Sequence, residues 1–345
     1  MKILVTGSTG FIGGQLCRAL VALGHDVRAF HRATSTTRLL DDLPVEHALG
    51  DLTQPNTLAQ AMQGVEIVFH TAALLGGSEK AGRMYAVTVE GTRSALQAAQ
   101  DAGVRRFIHT SSVAALGTPE IGLKYTLPFD EKHAWNCRAD HWPYGYAKYL
   151  AELEVQKAVA HGLDAVIVNP SIVIGPGDIY RQTSSILVQV ARRRVPALIE
   201  GGLNVVHIQD VVAGHLACID RGRRGERYIL GGENLTHLQF IQQIVEVTGG
   251  QVPSLMLPAG VARGLAFPLR LAESFIEMPI SSQMLNLAGY HFYYDTSKAQ
   301  VELGLEPALS AKQAITDAYD WFVQIGAIRK RAEKSIPRAD QVNSD

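Results

Sequence analysis

The sequence predicts an α/β protein in which a doubly wound parallel sheet is joined to a smaller, mainly helical C-terminal lobe. Through the first half of the chain, short runs of apolar and β-branched residues alternate with longer stretches of helical periodicity. A glycine-rich turn joins the first of these runs to the first helical stretch. Because the runs are apolar throughout, we expect buried parallel strands with helices on both faces of the sheet.

The predicted elements follow one another in strand–helix order. Strand-like runs occur at residues 3–5, 27–30, 67–69, 107–108 and 165–168, and helical patterns at residues 11–23, 84–102 and 144–161. Beyond residue 170, glycine and proline become frequent and strand-like runs become sparse. We therefore predict a sheet-forming domain over residues 1–170, a lobe over residues 171–325 that is interleaved with the end of the sheet, and a disordered tail over residues 326–345.

The composition is that of an ordinary globular enzyme, with 47% hydrophobic residues, 19% charged residues and a formal net charge of −1. No basic block predicts nucleic-acid binding or a polybasic membrane patch. The most apolar late stretch, residues 255–280, is interrupted by prolines and charged residues, which argues against a membrane span. Three scattered cysteines, and a strand at the N-terminus in place of a signal peptide, favour a reducing, cytoplasmic location.

A phosphate-binding turn is predicted at residues 6–13, where the sequence TGSTGFIG places glycines at positions 7, 10 and 13. One glycine allows a tight turn out of the strand, one lets the backbone approach a pyrophosphate, and one lets the helix pack closely on the sheet. The phosphates would then meet the unpaired N–H groups and the positive dipole end of the first helix. Such a turn between a strand and an amphipathic helix predicts a dinucleotide cofactor.

Residues suited to proton transfer lie at the start of the 144–161 helix. Tyr144 and Lys148 are four residues apart and therefore share one helical face. A nearby ammonium favours the phenolate, so we expect Lys148 to lower the pKa of Tyr144 from its usual value of about 10. Tyr144 would then exchange a proton with a substrate alkoxide or alcohol near neutral pH. Ser112 follows the strand at 107–108, where its hydroxyl would donate to the substrate oxygen.

These motifs, in this order, resemble those of the extended short-chain dehydrogenase/reductase superfamily, of the NAD-dependent epimerase/dehydratase type. The resemblance covers about residues 1–325 and implies a Rossmann fold and a catalytic set of Ser112, Tyr144 and Lys148, with Ser112 preferred over Ser111. Thr88 stands where the family usually has Asn. The glycine turn and the resemblance together imply these cofactor-binding residues: Gly7, Thr9, Gly10, Phe11, Ile12, Gly13, Asp51, Leu52, Thr71, Ala72, Ala73, Tyr144, Lys148, Pro170 and Ser171.

The end of the second strand bears on the choice of nicotinamide cofactor. A carboxylate there would bind the ribose 2′-hydroxyl of NAD and repel the 2′-phosphate of NADP. The chain instead has His31 and Arg32 at this point, with Arg38 nearby, and a guanidinium binds phosphate through two hydrogen bonds. We therefore predict that Arg32 binds NADP, with NAD as the alternative.

Among the reactions of the family, the sequence favours the interconversion of a hydrophobic ketone and a secondary alcohol. Val-Ala-Ala follows Ser112, which is similar to the dihydroflavonol reductase and 3β-hydroxysteroid dehydrogenase branch and lacks the acidic pair of the dehydratases. Apolar and aromatic residues are expected to line the pocket: Leu74, Leu75, Leu116, Trp135, Trp142, Met256 and Phe267. Two alternatives stay open, an NAD-dependent sugar-nucleotide epimerase and a non-catalytic NADP-sensing protein.

The expected partner is a hydrophobic small-molecule substrate, with no nucleic acid and no membrane span. The twelve histidines show no HxxxH or HExxH spacing, so no metal site is predicted. The resemblance allows a homodimer without requiring one. The identity of the substrate, its stereochemistry and the direction of the reaction are left open by the sequence.

Overall fold

The structure is a computed structural model that describes residues 1–74, 81–119, 127–180, 184–272 and 282–328. Its strands are β1 (Lys2–Thr6), β2 (Asp26–His31), β3 (Glu46–Leu49), β4 (Ile67–His70), β5 (Arg106–Thr110), β6 (Ala165–Pro170), β7 (Ile172–Ile174), β8 (Leu198–Ile199), β9 (Gly202–His207), β10 (Arg227–Leu230), β11 (Glu233–Thr236) and β12 (Met256–Leu257). Its α-helices are α1 (Phe11–Ala22), α2 (Pro55–Ala61), α3 (Ala81–Tyr85), α4 (Gly91–Asp101), α5 (Pro143–Ala160), α6 (Ser185–Ala191), α7 (Ile208–Ala217), α8 (His237–Thr248), α9 (Ala259–Ala272), α10 (Ser282–Asn286), α11 (Ser297–Leu303) and α12 (Ala311–Gln324). A π-helical turn (Ala86–Glu90) and a 3-10 turn (Val113–Leu116) lie between them.

Seven strands form one parallel sheet in the order β10-β6-β5-β4-β1-β2-β3. The strand order reverses beside β1, which lies between β2 and β4. The carboxyl ends of β1 and β4 therefore flank the crevice where ligands bind in sheets of this kind. The predicted doubly wound Rossmann sheet is confirmed.

Helices cover both faces of this sheet, and each face has its own apolar core. On one face α7 packs between α1 and α11, and Leu16 and Val211 are fully buried. On the other face α2, α4 and α5 pack side by side over Leu58 and Val155. Every residue of β4 and β6 is buried as a consequence, which is why their sequences are apolar over residues 67–69 and 165–168.

The C-terminal lobe has a third core, built around two small sheets. One sheet has the order β11-β9-β7, and the other pairs β12 with β8. Helices α6, α8 and α12 pack around the first of them. The chain rejoins the main sheet through β10, which pairs with β6. The predicted domain boundary at residue 170 falls between β6 and β7 and stays a prediction.

Two residues at the start of the predicted tail pack against the protein. Ala327 and Ile328 are buried against the third core, because the turn after α12 folds them back onto Phe322. Residues 329–345, the rest of the predicted tail, lie outside the described residues.

Three local elements differ from the sequence prediction. The helical pattern at 84–102 corresponds to three consecutive elements, namely α3, the π-helical turn and α4. A π turn inserts one residue without changing the direction of the helix, so the sequence pattern does not reveal it. Strand β3 was not predicted because it is an edge strand whose polar residues face solvent. Helix α2 has only seven residues, too few for a periodicity to be recognised.

Candidate active site

The turn after β1 is tight because two glycines leave room for it. Gly7 has a φ of +69°, a conformation that glycine adopts at little cost, and a Cβ there would lie 2.7 Å from the backbone nitrogen of Ala72. A Cβ on Gly13 would overlap the carbonyl oxygen of Gly7 and lie 2.8 Å from Thr71 Oγ1. The backbones of the first turn, of α1 and of the segment after β4 are therefore in direct contact.

The N-terminus of α1 offers backbone hydrogen-bond donors at the mouth of this turn. Gly10 is the N-cap residue, and none of the described side chains caps the helix there. The N–H groups of Phe11, Ile12 and Gly13 have no partner within the helix, since first-turn donors lack a preceding carbonyl. Thr9 is buried in the turn itself. This cradle fits a pyrophosphate.

The segment after β4 is fixed to the end of β1 by hydrogen bonds. Thr71 Oγ1 donates to the carbonyl oxygen of Thr6 at 2.7 Å, and the backbone nitrogen of Ala72 donates to Thr6 Oγ1 at 3.4 Å. Ala73 follows and is partly exposed. The structure thus brings the predicted cofactor residues 71–73 to the same crevice as the glycine turn.

Other predicted cofactor residues differ in what they can offer a ligand. Leu52 is buried in the second core, so its side chain is occupied by packing. Pro170 ends β6, and the N–H of the next residue, Ser171, donates to Leu230. The Oγ of Ser171 is buried and has no hydrogen-bond partner among the described residues. An orphaned buried hydroxyl of this kind fits a bound ligand.

Arg32 lies exposed at the end of β2, beside the buried His31. Its charge reaches Asp51, two residues after the end of β3. Burial raises the pKa of the Asp51 carboxyl, but hydrogen bonds from Thr53 and the charges of Arg32 and Arg83 outweigh it and lower that pKa overall. The guanidinium and the carboxylate of Asp51, both predicted to bind the cofactor, are therefore neighbours.

Ser112 and Tyr144 meet at the carboxyl end of β5. Ser112 is the extended N-cap of the 3-10 turn, and its Oγ accepts a hydrogen bond from the backbone nitrogen of Ala114 at 3.2 Å. The Ser112 hydroxyl is also close enough to Tyr144 to lower the pKa of its phenol. The carbonyl oxygen of Ser112 accepts from Asn169 Nδ2 at 2.9 Å, which fixes the backbone on which the hydroxyl is carried.

Lys148 lies one helical turn after Tyr144 on α5 and is only 3% exposed. Its Nζ donates to the carbonyl oxygen of Thr110, the last residue of β5, at 3.0 Å. Ser112, Tyr144 and Lys148 therefore lie at the carboxyl end of β5, and their catalytic role stays a prediction.

The prediction that the pKa of Tyr144 is lowered is wrong. Burial raises the pKa of the phenol to about 12, and the nearby Ser112 hydroxyl opposes this only in part. Burial also lowers the pKa of Lys148 to about 8, against the charge of nearby Glu152. The loss of hydration disfavours both charged forms, and for Tyr144 it is the largest effect, whereas the spacing suggested that the ammonium would dominate. Tyr144 is consequently protonated at neutral pH.

Comparison with known proteins identifies the family to which this fold and site belong. The sequence model of the NAD dependent epimerase/dehydratase family matches residues 3–231, which is most of the chain and includes every candidate site residue. The chain belongs to that family. It is accordingly an NAD(P)-dependent enzyme of the extended short-chain dehydrogenase/reductase type, as the sequence predicts.

Similar proteins span nearly the whole chain. A putative dihydroflavonol 4-reductase from Synechocystis sp. is 38% identical and covers 94% of this chain and 95% of its own length. A 3 beta-hydroxysteroid dehydrogenase/Delta 5-->4-isomerase from Mycobacterium tuberculosis is 31% identical, with 97% and 94% covered. The crystal structure of gox2253 superimposes with a TM-score of 0.83 at 36% identity, over 95% of this chain and 99% of that one. The predicted resemblance to the reductase and hydroxysteroid dehydrogenase branch is confirmed.

The π-helical turn contains Thr88, which stands where the family usually has Asn. Thr88 is 1% exposed, its Oγ1 accepts from the backbone nitrogen of Leu74 at 3.4 Å, and its carbonyl oxygen accepts from Thr92 Oγ1 at 2.6 Å. Val89 of the same turn packs in a small apolar cluster against which Tyr144 lies. The turn therefore supports the candidate active site from the side of α4.

The residues expected to line the pocket are spread over different environments. Trp135 and Trp142 lie with ring centroids 6.4 Å apart, and a Cβ on Gly145 would come within 3.0 Å of both rings. Since Gly145 follows Tyr144 directly, these tryptophans adjoin the candidate site. Leu74 packs in the cluster beside Tyr144.

The structure does not place the other residues that were predicted to line the pocket in a pocket wall. Leu116 is fully buried in a core cluster with Phe129, because the 3-10 turn directs it inward. Met256 and Phe267 are 48% and 63% exposed on β12 and α9, so neither is enclosed in a pocket wall. Leu75 lies outside the described residues.

Sequence reasoning missed a buried acid next to the candidate catalytic residues. Glu152 is 4% exposed and receives hydrogen bonds from Ser111 Oγ at 2.5 Å and from Asn169 Nδ2 at 2.6 Å. The available signal was its spacing, four residues after Lys148 and eight after Tyr144, which places all three on one face of α5.

Within the described ranges, two features are absent. No group of three or more His, Cys, Asp or Glu side chains there is arranged to hold a metal ion. No helix in those ranges is long and apolar enough to cross a membrane.

Proposed function

We propose that this protein is an NADP(H)-dependent reductase that interconverts a hydrophobic ketone and a secondary alcohol through Ser112, Tyr144 and Lys148. The glycine turn and the N-terminus of α1 would hold the pyrophosphate, and Lys148 would also bind the nicotinamide ribose. The bound nicotinamide supplies the hydride. The protein's own residues handle the oxygen atom of the substrate and its proton.

The contact between Ser112 and Tyr144, beside the buried Lys148, is the observation that carries this proposal. In the direction of reduction, the carbonyl oxygen gains negative charge as hydride arrives, and two hydroxyl donors then stabilise it. Tyr144 gives its proton to the developing alkoxide. Because the pKa of Tyr144 is about 12, the phenol holds this proton over the neutral range. The charge of Lys148 stabilises the phenolate that remains.

The preference for NADP rests on Arg32. This side chain is exposed at the end of β2 and is close enough to Asp51 to influence the pKa of its carboxyl. Neither His31 nor Arg32 is an acid. A 2′-phosphate at this point would meet a cation rather than a carboxylate.

Replacement of Arg32 by Ala is expected to weaken NADPH binding by about 1.5–3 kcal/mol, the contribution of hydrogen bonds to a charged group. NADH affinity should hardly change, because NADH has no 2′-phosphate. Titration of nicotinamide fluorescence measures both affinities. Arg105→Ala, an exposed arginine at the opposite end of the sheet, is the matched control. An equal loss for both cofactors in Arg32→Ala would show that Arg32 does not select NADP.

The preference for a hydrophobic substrate rests on the aromatic side chains near Tyr144. Trp135 and Trp142 adjoin Gly145, and the ring of Phe292 packs edge-on against Trp142 with centroids 5.4 Å apart. Tyr290 lies 5.9 Å from Phe292 and continues the aromatic surface. Such rings give large apolar contact areas to a flat or ring-containing ligand. The substrates named for the similar reductase and hydroxysteroid dehydrogenase are consistent with this chemistry.

Reductase and epimerase activities differ in what happens to the cofactor. A reductase consumes one NADPH for each ketone reduced, whereas an epimerase returns the hydride to the same molecule. With a panel of flat, hydrophobic ketones, we expect the nicotinamide absorbance of NADPH to fall over many turnovers. UDP-glucose and UDP-galactose should not be interconverted. If the ketones leave NADPH untouched while a sugar nucleotide is epimerised without net change in cofactor, the reductase proposal is wrong.

A further inference from the structure

Glu152 places a negative charge in the interior of the protein, next to the candidate catalytic set. Its carboxylate accepts from Ser111 Oγ and Asn169 Nδ2 on one oxygen, and from Arg227 Nη1 at 3.2 Å on the other. These three donors come from the ends of β5 and β6 and from the start of β10. A buried carboxylate is costly unless it is paired and hydrogen-bonded, and here both oxygens are.

We propose that Glu152 is a positioning residue of the active site, which keeps Lys148 charged and fixes the backbone that carries Ser112. This inference rests on the proposed function of Ser112, Tyr144 and Lys148. Glu152 is a fourth residue of the site. It does not touch the substrate and acts only through Ser112 and Lys148.

The link to Ser112 runs through hydrogen bonds on both sides of that residue. Ser111, the preceding residue, binds Glu152 through its side chain, and its backbone nitrogen donates to Val168 on β6. Asn169 Nδ2 donates to the Glu152 carboxylate and also to the carbonyl oxygen of Ser112. One carboxylate therefore orients both groups that hold the Ser112 backbone, and the Ser112 hydroxyl is left for Tyr144.

The link to Lys148 is electrostatic. Lys148 precedes Glu152 by one helical turn, and the carboxylate raises the pKa of the ammonium against the larger effect of burial, which lowers it to about 8. The other ionisable groups around Lys148 are Tyr144 on α5, His70 on β4 and His109 on β5. Burial lowers the pKa of both histidines far below neutral, so they are uncharged there. Glu152 is thus the anion that balances Lys148.

Arg227 on β10 donates to the same carboxylate and connects it to the segment that carries the aromatic side chains. Its guanidinium also donates to the carbonyl oxygens of Glu131 and His133, both at 2.7 Å. These residues begin the segment that leads to Trp135 and Trp142. The carboxylate therefore lies between two cations, one in the proton-transfer set and one that holds the aromatic segment.

The charge of Lys148 can be titrated directly by NMR of lysine labelled with ¹³C at Cε, with Lys148→Arg used to assign the signal. In the unmodified protein we expect a midpoint near pH 8. Glu152→Gln should lower the midpoint by about one pH unit or more, since a nearby opposite charge shifts a pKa by about one to three units. Glu152→Asp restores the charge and should restore most of the midpoint.

Glu154→Gln is the matched control. Glu154 lies on the same helix, is 8% exposed and is ion-paired with Arg93 and Lys157, but it faces α4 and not β5. Both glutamine variants should lose stability to heat, whereas only Glu152→Gln should move the midpoint of Lys148. If Glu152→Gln does not fold, the double variant Glu152→Gln with Arg227→Gln also removes the partly buried guanidinium that would lose its carboxylate partner. The same lowered midpoint of Lys148 is expected in this double variant.

An unchanged Lys148 midpoint in folded Glu152→Gln, or an equal shift in Glu154→Gln, would overturn the proposal. Reductase activity gives a separate measurement. Because Lys148 loses its charge as pH rises through the midpoint, the basic limb of kcat/KM should move to lower pH in Glu152→Gln by the same amount. If no variant reduces any ketone, the proposed function fails, while the NMR result still decides whether Glu152 controls the charge of Lys148.

Discussion

Tyr144→Phe is expected to lower turnover by about 10²-fold to 10⁴-fold, the range for the loss of a general acid or base. The substitution removes one hydroxyl and leaves the ring in its place against the Val89 cluster. The proton that the alkoxide requires would then have to come from water, which has no fixed position in the site. Cofactor affinity should stay unchanged, because Lys148 and the glycine turn are intact.

Tyr146→Phe is the control for this experiment. Tyr146 lies on the same helix and its ring packs 5.7 Å from that of Trp135, a contact that phenylalanine retains. It has no lysine four residues later, so its hydroxyl should be dispensable. NADPH oxidation measures turnover, and fluorescence titration measures cofactor binding. Near-native turnover in Tyr144→Phe would remove Tyr144 from its proposed role.

The sheet was predictable from sequence because its central strands are buried on both faces. Strands β4 and β6 contain apolar runs at residues 67–69 and 165–168. The glycine turn after β1 is typical of a dinucleotide-binding sheet. Strand β3 was not predictable in this way. At the edge of the sheet it has one neighbour and faces solvent, so its residues Glu46 and His47 are polar and show no strand pattern.

The candidate site was predictable where spacing along one helix determines a neighbour, as for Tyr144 and Lys148. Burial is different, because it depends on segments that are distant in sequence. The pKa of Tyr144 depends on what excludes water from it, and the sequence shows only the nearby ammonium. Glu152 looks like a solvent-exposed acid on a helix until Ser111, Asn169 and Arg227 are seen to converge on it.

Lys148→Met is expected to reduce both turnover and cofactor affinity, which separates the role of Lys148 from that of Tyr144. Methionine keeps the length of the side chain in its buried position but removes the ammonium that donates to Thr110. Turnover should fall by about 10²-fold or more, because the phenolate left after proton transfer loses its stabilising charge. NADPH binding should weaken by about 1.5–3 kcal/mol if the ammonium also binds the nicotinamide ribose.

Lys157→Met is the control for the loss of a lysine from α5. Lys157 is exposed and ion-paired with Glu154, so its removal should change neither quantity. Single-turnover measurements at saturating NADPH separate the chemical step from binding. In this assay Tyr144→Phe should differ from the unmodified protein only in rate, whereas Lys148→Met should differ in rate and in the NADPH concentration needed for saturation. Unchanged cofactor affinity in Lys148→Met would restrict Lys148 to the proton-transfer step and leave the nicotinamide ribose to other residues of the crevice, such as Ser171.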